Sequence, residues 1–413
     1  MGYYELSRNG SEIVQTLHID KLVIQTVNFT DFYAPPFCSP SRSALLTGRY
    51  AMRAGIHNTV GGVFILHKNE TTIADLLKKE GYHTGVFGKW HLGSSYPYAP
   101  KFRRFDEVFV HGEGGVSQLG DYDGNNHINS TYSHNDQYVK SEGFSTDVFF
   151  DKAIKYMNRQ RGINQPFFCY LSTPAVHFPT NRHPVNTKRL LERGVAYSGL
   201  TALYSMIENV DDNLGKMMDF LKQSGLKENS IVVLASDQGV NDRGAPMHRS
   251  GEFQNRRLSF DEKHHVYCMI QYPKLTNKNV GDSDKLIGMV DVMPTILDIC
   301  GIDIPANVDG QSLKPLLEGR NWNDERKLIV QCPRSRIRQK WENTSVKYKK
   351  WRLVDGKELY NIQDDFGQNN DIASDNHALV DELSSTYDSF WNSLASAEEL
   401  ISPHILGATE TPE

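Results

Sequence analysis

Short apolar segments alternate with amphipathic segments along most of the chain, and this alternation limits the possible folds. Residues 82–87, 167–171 and 231–235 are typical of buried strands. Between the last two, residues 203–221 carry an apolar stripe at helical spacing, and Gly225 ends it. Strands that alternate with helices predict an α/β fold with a mostly parallel sheet.

Beyond residue 320 the pattern changes. Three short strand-like segments and one helical segment follow each other there, at residues 328–330, 350–354, 358–360 and 378–394. We therefore predict a large α/β domain at 1–320 and a small α+β domain at 321–413. Such a division suits a chain of 413 residues.

The composition narrows the classes of partner. The net charge is −5 and no long basic run occurs, which argues against nucleic acid. No apolar stretch approaches the ~20 residues that a membrane span needs, and no signal peptide is visible. The five cysteines show no Cys-x-x-Cys pairing, which argues against a zinc site or a dense disulfide framework.

Reactive side chains collect where predicted strands end or helices begin. Cys38 precedes a predicted helix, in which Ser39 is the expected N-cap and Pro40 the first helical residue. Gly48 suits the end of that helix. Backbone N–H groups at a helix start favour anions, and Arg42 adds a positive charge one turn later, so the position stabilises a thiolate or an oxyanion. The alternative is a small buried cysteine before an ordinary helix.

Two further segments follow predicted strands. Lys89 and His91 come after residues 82–87, and residues two apart on an extended chain point the same way. They offer a cation and a proton donor or acceptor to one pocket; the alternative is a surface loop with a buried tryptophan. His177 comes after residues 167–171, in a loop that two prolines stiffen. The alternative there is a hydrogen-bonded histidine in a rigid turn.

Asp237 and Gln238 follow the strand at 231–235. A carboxylate and an amide oxygen suit a hard cation such as Ca²⁺ or Mg²⁺. The alternative is a turn cap, which is common for aspartate. Because ligands of open α/β sheets bind outside the carboxyl ends of the strands, reactive groups at several strand ends are more informative than any one of them.

Together these segments resemble the sulfatase family. Residues 38–42, Cys-Ser-Pro-Ser-Arg, with Thr-Gly-Arg at 47–49, match its Cys-x-Pro-Ser-Arg…Thr-Gly-Arg signature. Residues 81–93 match its second signature, and residues 290–295 with 309–313 match a downstream pair of segments. Residues 351–361 match the usual start of its C-terminal domain. The similarity covers nearly the whole chain and implies the family's alkaline-phosphatase-like α/β fold.

The resemblance also implies a reaction. A maturation enzyme oxidises Cys38 to formylglycine, whose hydrate carries two hydroxyls on one carbon. One hydroxyl attacks sulfur and releases the alcohol, which leaves a covalent sulfate ester. The other loses a proton, and the carbon returns to the aldehyde as sulfate departs. By the resemblance, Arg42 and His91 would hold and activate the hydrate, and Lys89 and His177 would contact the sulfate or protonate the leaving oxygen.

The family's metal ion would be bound here by Asp237, Gln238 and the oxygen of residue 38, although asparagine is usual at position 238. Family members open with a strand that ends in two metal-binding aspartates, followed by Gly-Tyr. In this chain Gly2-Tyr3 follows Met1 directly. We therefore expect a shortened form of a longer protein that binds Ca²⁺ or Mg²⁺ weakly. We also expect poor solubility and little activity.

A later family segment is altered as well. Arg256 stands at the position of the family's lysine, and residues 260–263 replace its Tyr-Glu-Gly-Gly. A guanidinium keeps the positive charge, but it is longer and planar and need not replace an amine.

We expect a sulfuric ester hydrolase whose substrate is a sulfated small molecule or saccharide. Two alternatives stay open: a phosphohydrolase of the same fold, and a non-catalytic protein that binds sulfated glycans. The cysteine at position 38 argues against the first, because such phosphohydrolases use serine or threonine. Family members are commonly exported, but the sequence leaves the compartment of this chain open.

Overall fold

The computed structural model describes residues 1–59, 65–112, 114–118, 120–239, 259–276, 280–335 and 337–394. These residues form two compact units. The first comprises Met1–Glu5, Val23–Glu70 and the described residues from Ile231 to Leu394. The second comprises Leu6–Leu22 and Thr71–Ser230.

The described residues form fourteen strands and eleven α-helices. The strands are β1 (Val27–Tyr33), β2 (His83–Gly88), β3 (Glu107–Val110), β4 (Thr131–His134), β5 (Gln137–Lys140), β6 (Phe167–Ser172), β7 (Val232–Ala235), β8 (His265–Gln271), β9 (Gly281–Ser283), β10 (Ile287–Gly288), β11 (Lys327–Gln331), β12 (Thr344–Tyr348), β13 (Trp351–Val354) and β14 (Glu358–Asn361). The helices are α1 (Leu17–Val23), α2 (Cys38–Thr47), α3 (Ile73–Lys79), α4 (Ser145–Gly162), α5 (Pro184–Glu192), α6 (Gly199–Gln223), α7 (Asp261–His264), α8 (Pro273–Thr276), α9 (Val292–Ile299), α10 (Lys314–Leu317) and α11 (His377–Asn392).

The larger sheet of the first unit has the strand order β10-β1-β8-β7, and β9 also pairs with β1. Strand β1 runs antiparallel to β8, with Phe29 opposite Cys268 and Val27 opposite Ile270. These apolar side chains are buried in one core with residues of the helices that cover the sheet. Strand β7, which leads to Asp237, is the end strand of this order and pairs with β8.

The smaller sheet of the first unit is an antiparallel meander in the order β11-β12-β13-β14. Helix α11 packs on it through Leu383 and Tyr387, which meet Val346 and Leu353 of the sheet in one buried cluster. The strands and the final helix predicted after residue 320 are confirmed. Strand β12 was not predicted, because its residues alternate between polar and apolar types too weakly to stand out from the charged segment around it.

The second unit contains a five-stranded sheet in the order β5-β4-β3-β2-β6. Strand β2 is parallel to both β3 and β6, and β4 and β5 form an antiparallel hairpin at one edge. Helices α4 and α6 belong to this unit, and α6 is the long apolar-striped helix that the sequence predicts. Strands β2 and β6 end at Gly88 and Ser172, directly before the segments of Lys89 and His177.

The α/β fold is confirmed, with one refinement to the expected sheet. The two five-stranded sheets each contain parallel and antiparallel ladders. In the first unit β8 is antiparallel to both of its neighbours, and in the second unit the β4–β5 hairpin reverses direction, so that β4 is antiparallel to β3. In the part of the chain that the structure describes, no helix is both long and apolar enough to cross a bilayer. All five cysteines are free thiols.

Candidate active site

Cys38 is the first residue of α2 and is almost fully buried, with 6% of its surface exposed. The N-cap is Phe37 and not Ser39 as expected, and the first helical hydrogen bond runs from the Ser41 N–H to the Phe37 carbonyl at 3.2 Å. Pro40 is therefore the third helical residue. Proline is tolerated there because none of the first four N–H groups of a helix has an intrahelical partner. Gly48 ends the helix with φ +65°, as predicted.

Four of the predicted site residues meet in the first unit. The Arg42 guanidinium donates from Nη2 to Asp237 Oδ2 at 2.7 Å, and its side chain is only 5% exposed. The Cys38 thiol donates to Gln238 Oε1 at 3.1 Å. Residue 38 therefore lies between the start of a helix and the loop after β7, with a buried cation one turn along the same helix.

Helix α7 connects the two loops that carry these groups. The Ala34 N–H, four residues before Cys38, donates to the His264 carbonyl at 2.9 Å, and the Gly239 N–H donates to the Lys263 carbonyl at 3.1 Å. A Cβ atom at position 239 would overlap the carbonyl oxygen of Glu262. Glycine is required at this close approach, and the loop of Asp237 and Gln238 is thereby held against α7.

A largely buried charge network includes Asp261, the first residue of α7. The Arg352 guanidinium is 3.1 Å from Asp261, and the Lys347 ammonium is 3.3 Å from Asp31. Burial acts to raise the pKa of Asp261, but Arg352 and other nearby cations outweigh it and lower that pKa. Burial, together with the carboxylates of Asp261 and Asp31, raises the pKa of Tyr33 well above its ordinary value. Two carboxylates thus offset two cations, and one of the carboxylates belongs to the helix that positions the site.

The far end of α2 is held by the downstream segments that the sequence singled out. The N–H groups of Asp309 and Gly310 donate to the Gly48 carbonyl at 2.9 and 3.0 Å. Asp291, in turn, accepts from the Gln311 N–H at 2.8 Å and forms a bidentate ion pair with Arg326 at 2.6 and 2.7 Å. These residues are scaffold, and they determine where the helix of Cys38 ends.

Lys89 and His91 belong to the second unit. The Lys89 N–H donates to the Ser172 carbonyl at 2.6 Å, which joins the segment after β2 to the end of β6. Both side chains are buried, at 2% and 7% exposure. His91 has φ +59°, so the extended geometry assumed from the sequence does not continue through it.

His177 lies in the loop after β6 in the same unit. Its N–H donates to the Pro174 carbonyl at 2.9 Å, and its Nδ1 lies 2.6 Å from the Phe178 carbonyl oxygen. A Cβ atom at Gly115 would be 2.5 Å from His177 Nδ1, and one at Gly114 would be 3.6 Å from His91 Nε2. The structure therefore brings His91 and His177 to one glycine segment. No local pattern in the sequence indicates this contact, because it joins three separate segments of the chain.

Arg256, which the sequence places at the family's lysine position, lies outside the described residues. Of the residues predicted to bind metal, Asp237 and Gln238 offer three side-chain oxygens between them, and the Asp237 carboxylate is already paired with Arg42. Within the described ranges, no group of three or more acidic, histidine or cysteine side chains is arranged to bind a metal. Calcium takes about 6–8 oxygen ligands, so the described residues alone do not fit a complete calcium site.

Comparison with protein families decides the assignment. The family model described as Sulfatase matches residues 1–302. The chain is a member of the sulfatase family. A second model, N-sulphoglucosamine sulphohydrolase, C-terminal, matches residues 250–388 of this sulfatase.

Individual relatives agree with the assignment. Arylsulfatase G of Canis lupus familiaris is 28% identical over 375 residues, which cover 80% of this chain and 68% of the relative. The ulvan-active sulfatase of Formosa agariphila is 27% identical over 392 residues, covering 87% and 73%. A protein solved in complex with its substrate D-glucosamine-2-N,6-O-disulfate has the same fold, with a TM-score of 0.76 at 20% identity, covering 95% and 96%. The alkaline-phosphatase-like fold of this sulfatase is therefore established.

Proposed function

We propose that this chain hydrolyses sulfate esters of saccharides with a nucleophile made from Cys38. The main support is the contact set around residue 38, where the start of α2, the Gln238 amide and the Arg42–Asp237 pair converge. Oxidised to formylglycine by a maturation enzyme, residue 38 would supply two hydroxyls, one to attack sulfur and one to let the sulfate ester break down.

The groups around residue 38 favour this chemistry in distinct ways. The first N–H groups of α2 and the positive end of its dipole stabilise negative charge next to the reacting atom. Arg42 adds a buried cation one turn along, whose position is fixed by the 2.7 Å ion pair with Asp237. Preorganised groups of this kind stabilise charge as it shifts during sulfuryl transfer.

The resemblance assigns Lys89 and His177 to sulfate contact or to protonation of the leaving oxygen, and His91 to activation of the hydrate. These roles are predictions. They are supported by the burial of Lys89 and His91 directly after β2 and by the rigid hydrogen bonding of His177 after β6. Each side chain follows the carboxyl end of a strand, where groups that act on ligands collect in α/β proteins.

The saccharide class is supported by what relatives act on. One is named for ulvan, and another was solved with a glucosamine that carries two sulfates as its substrate. We propose Ca²⁺ or Mg²⁺ as the metal, with Asp237 and Gln238 among its ligands, and we assign no reaction step to it. A calcium titration followed by calorimetry tests this role, and Asp237→Ala is expected to weaken the binding.

Peptide mass spectrometry and turnover together test the proposal. After expression with a formylglycine-generating enzyme, the tryptic peptide containing residue 38 is expected to carry the aldehyde mass. The purified protein is expected to hydrolyse a sulfated saccharide. Cys38→Ser is the matched control, because serine can take part in the first transfer but has no second hydroxyl, so it should retain sulfate on the protein and stop. An unmodified thiol throughout, in a competent host, would contradict the proposal.

A second candidate is a non-catalytic protein that binds sulfated glycans. It is favoured by the incomplete set of metal-binding oxygens among the described residues and by the pairing of Asp237 with Arg42. The two candidates differ in one measurement. A glycan binder would retain a sulfated oligosaccharide in calorimetry with the aldehyde present and release no sulfate, whereas the enzyme would release it.

A further inference from the structure

Arg334 lies beside the residue that precedes Cys38. Its Cζ is 4.9 Å from the centroid of the Phe37 ring, within the range of a cation–π contact. Phe37 is the N-cap of α2, so the ring that the guanidinium contacts belongs to the residue directly before the reacting position. The residue is exposed, which leaves the charged group open to a ligand.

The loop that carries Arg334 is held in place by its backbone. The Arg334 N–H donates to Glu342 Oε1 at 2.9 Å, and the N–H and hydroxyl of Ser335 both donate to the same oxygen at 3.0 Å. On the other side, Asn58 Nδ2 donates to the Arg334 carbonyl at 2.9 Å. The loop therefore needs little further ordering when an anion binds, and the stacking on Phe37 restricts the guanidinium itself.

Arg334 and Cys38 both affect the pKa of a common neighbour, Cys332. Burial raises the pKa of the Cys332 thiol, the charge of Arg334 opposes this rise, and Cys38 adds to it. Both side chains therefore lie within electrostatic range of Cys332, which is itself fixed by a hydrogen bond from Sγ to the His57 carbonyl at 3.2 Å.

Arg334 differs from the other cations of this region. Arg42 is paired with Asp237, and Lys340 in the same loop is 2.9 Å from Asp388. Within the described ranges, no carboxylate forms an ion pair with the Arg334 guanidinium, which lies over the Phe37 ring. An exposed guanidinium held on an aromatic ring suits a planar or tetrahedral anion, because two N–H groups can bind two oxygens at once.

We propose that Arg334 binds a second anionic group of the substrate, next to the sulfate that is hydrolysed. The substrate class is then a saccharide that carries at least one further sulfate or carboxylate in addition to the reacting sulfate. This inference rests on the proposed function for the identity of the reacting group, whereas the anion site itself is a property of Arg334, Phe37 and the loop.

Kinetics on two substrates test the site. The probes are para-nitrophenyl sulfate, with one anionic group, and a glucosamine disulfate, with two. Arg334→Ala is expected to raise KM for the disulfate about 10-fold more than KM for the aryl sulfate, as expected for loss of a charge-assisted hydrogen bond. Arg334→Lys should recover part of the loss. Lys340→Ala removes one cation from the same loop and should leave the ratio of the two KM values unchanged. Equal changes for both probes in Arg334→Ala, or no change for either, would overturn the proposal.

A binding experiment separates this inference from the proposed function. Cys38→Ala cannot form the aldehyde, so calorimetry with the disulfate measures affinity without turnover. Adding Arg334→Ala to that variant is expected to weaken binding about 10-fold, and this loss should shrink at high ionic strength. If the native protein releases no sulfate but the affinity loss is found, the catalytic proposal fails and the anion site stands. If sulfate is released and the affinity is unchanged, the anion site is wrong and the catalytic proposal stands.

Discussion

Acidification from pH 6.5 toward pH 4 is expected to destabilise the second unit through His127. This ring is fully buried; its Nδ1 lies 2.7 Å from the Ser145 hydroxyl, and it stacks on Phe144. Burial is the main cause that lowers its pKa from 6.5 to about 4. The charge of His177 lowers the pKa of His127 further. A backbone hydrogen bond to Pro179 and the charge of Asp121 act in the opposite direction and raise it.

The sign follows from proton binding. Between pH 6.5 and pH 4 the unfolded chain protonates this histidine and the folded chain does not, so acid favours unfolding. The two pKa values differ by roughly 2.5 units, and one unit corresponds to about 1.36 kcal/mol, so the loss of stability at pH 4 is about 3 kcal/mol. The contribution is fully present above pH 6.5 and declines as the pH falls to 4.

Chemical denaturation of the native protein and of His127→Gln at several pH values measures this loss. Glutamine loses the stacked ring, so the variant should be less stable at pH 7 by about 1–2 kcal/mol. Its stability should then fall less steeply on acidification than that of the native protein. If His127→Gln and the native protein lose stability in parallel between pH 6.5 and pH 4, the assignment to His127 is refuted.

Three other predictions concern the scaffold and the site. Asp291→Ala leaves a buried guanidinium unpaired and should lower the free energy of unfolding, measured by chemical denaturation, by about 3–5 kcal/mol. Lys188→Ala breaks an exposed ion pair on α5 and should lower it by about 0.3–0.5 kcal/mol. Equal losses in the two variants would contradict the burial argument. Gly239→Ala should lower the free energy of unfolding by about 1–3 kcal/mol, because its methyl group overlaps a backbone carbonyl. Sulfatase activity should fall as well, since the side-chain amide of the adjacent Gln238 is displaced. Full activity would show that the close approach is not needed. Lys89→Ala and His177→Ala should each reduce turnover by about 100-fold or more, with a much smaller change in melting temperature; a variant that melts early with normal specific activity would assign its residue to the scaffold.

Local patterns were sufficient to predict most of the regular structure. The helix at Cys38 was expected from Ser39, Pro40 and Gly48, and Gly48 does adopt the left-handed conformation that ends a helix. The apolar strands before Lys89, His177 and Asp237 were also expected, since their short apolar runs have few other uses in an α/β chain. The site residues were named from their places at strand ends or a helix start and from the resemblance to the sulfatase family.

What the sequence did not predict depends on contacts between distant segments. Helix α7 has only four residues, too few for local propensity to form a helix. It is held by hydrogen bonds to Ala34, Gly239 and the Gln368 side chain. Likewise, the N-cap of α2 is Phe37 because the chain enters the helix from a segment tied to α7, and no pattern around Ser39 indicates that entry. The stacking of Arg334 on Phe37 joins residues about 300 positions apart and has no local signal.

The same contacts explain why the motifs of this family extend far beyond its nucleophile. A cysteine at the first residue of a helix has its position determined by both ends of that helix. At the start, α7 holds the chain before Cys38 and the loop of Gln238 together through Ala34 and Gly239. At the end, Asp309 and Gly310 hold the Gly48 carbonyl. An error of about 1 Å at the reacting atom can cost about 100-fold in rate. The reaction therefore also depends on residues that never touch a substrate, because they determine the position of residue 38. A substitution that breaks the hydrogen bonds at either end of α2 should lower turnover before it unfolds the chain.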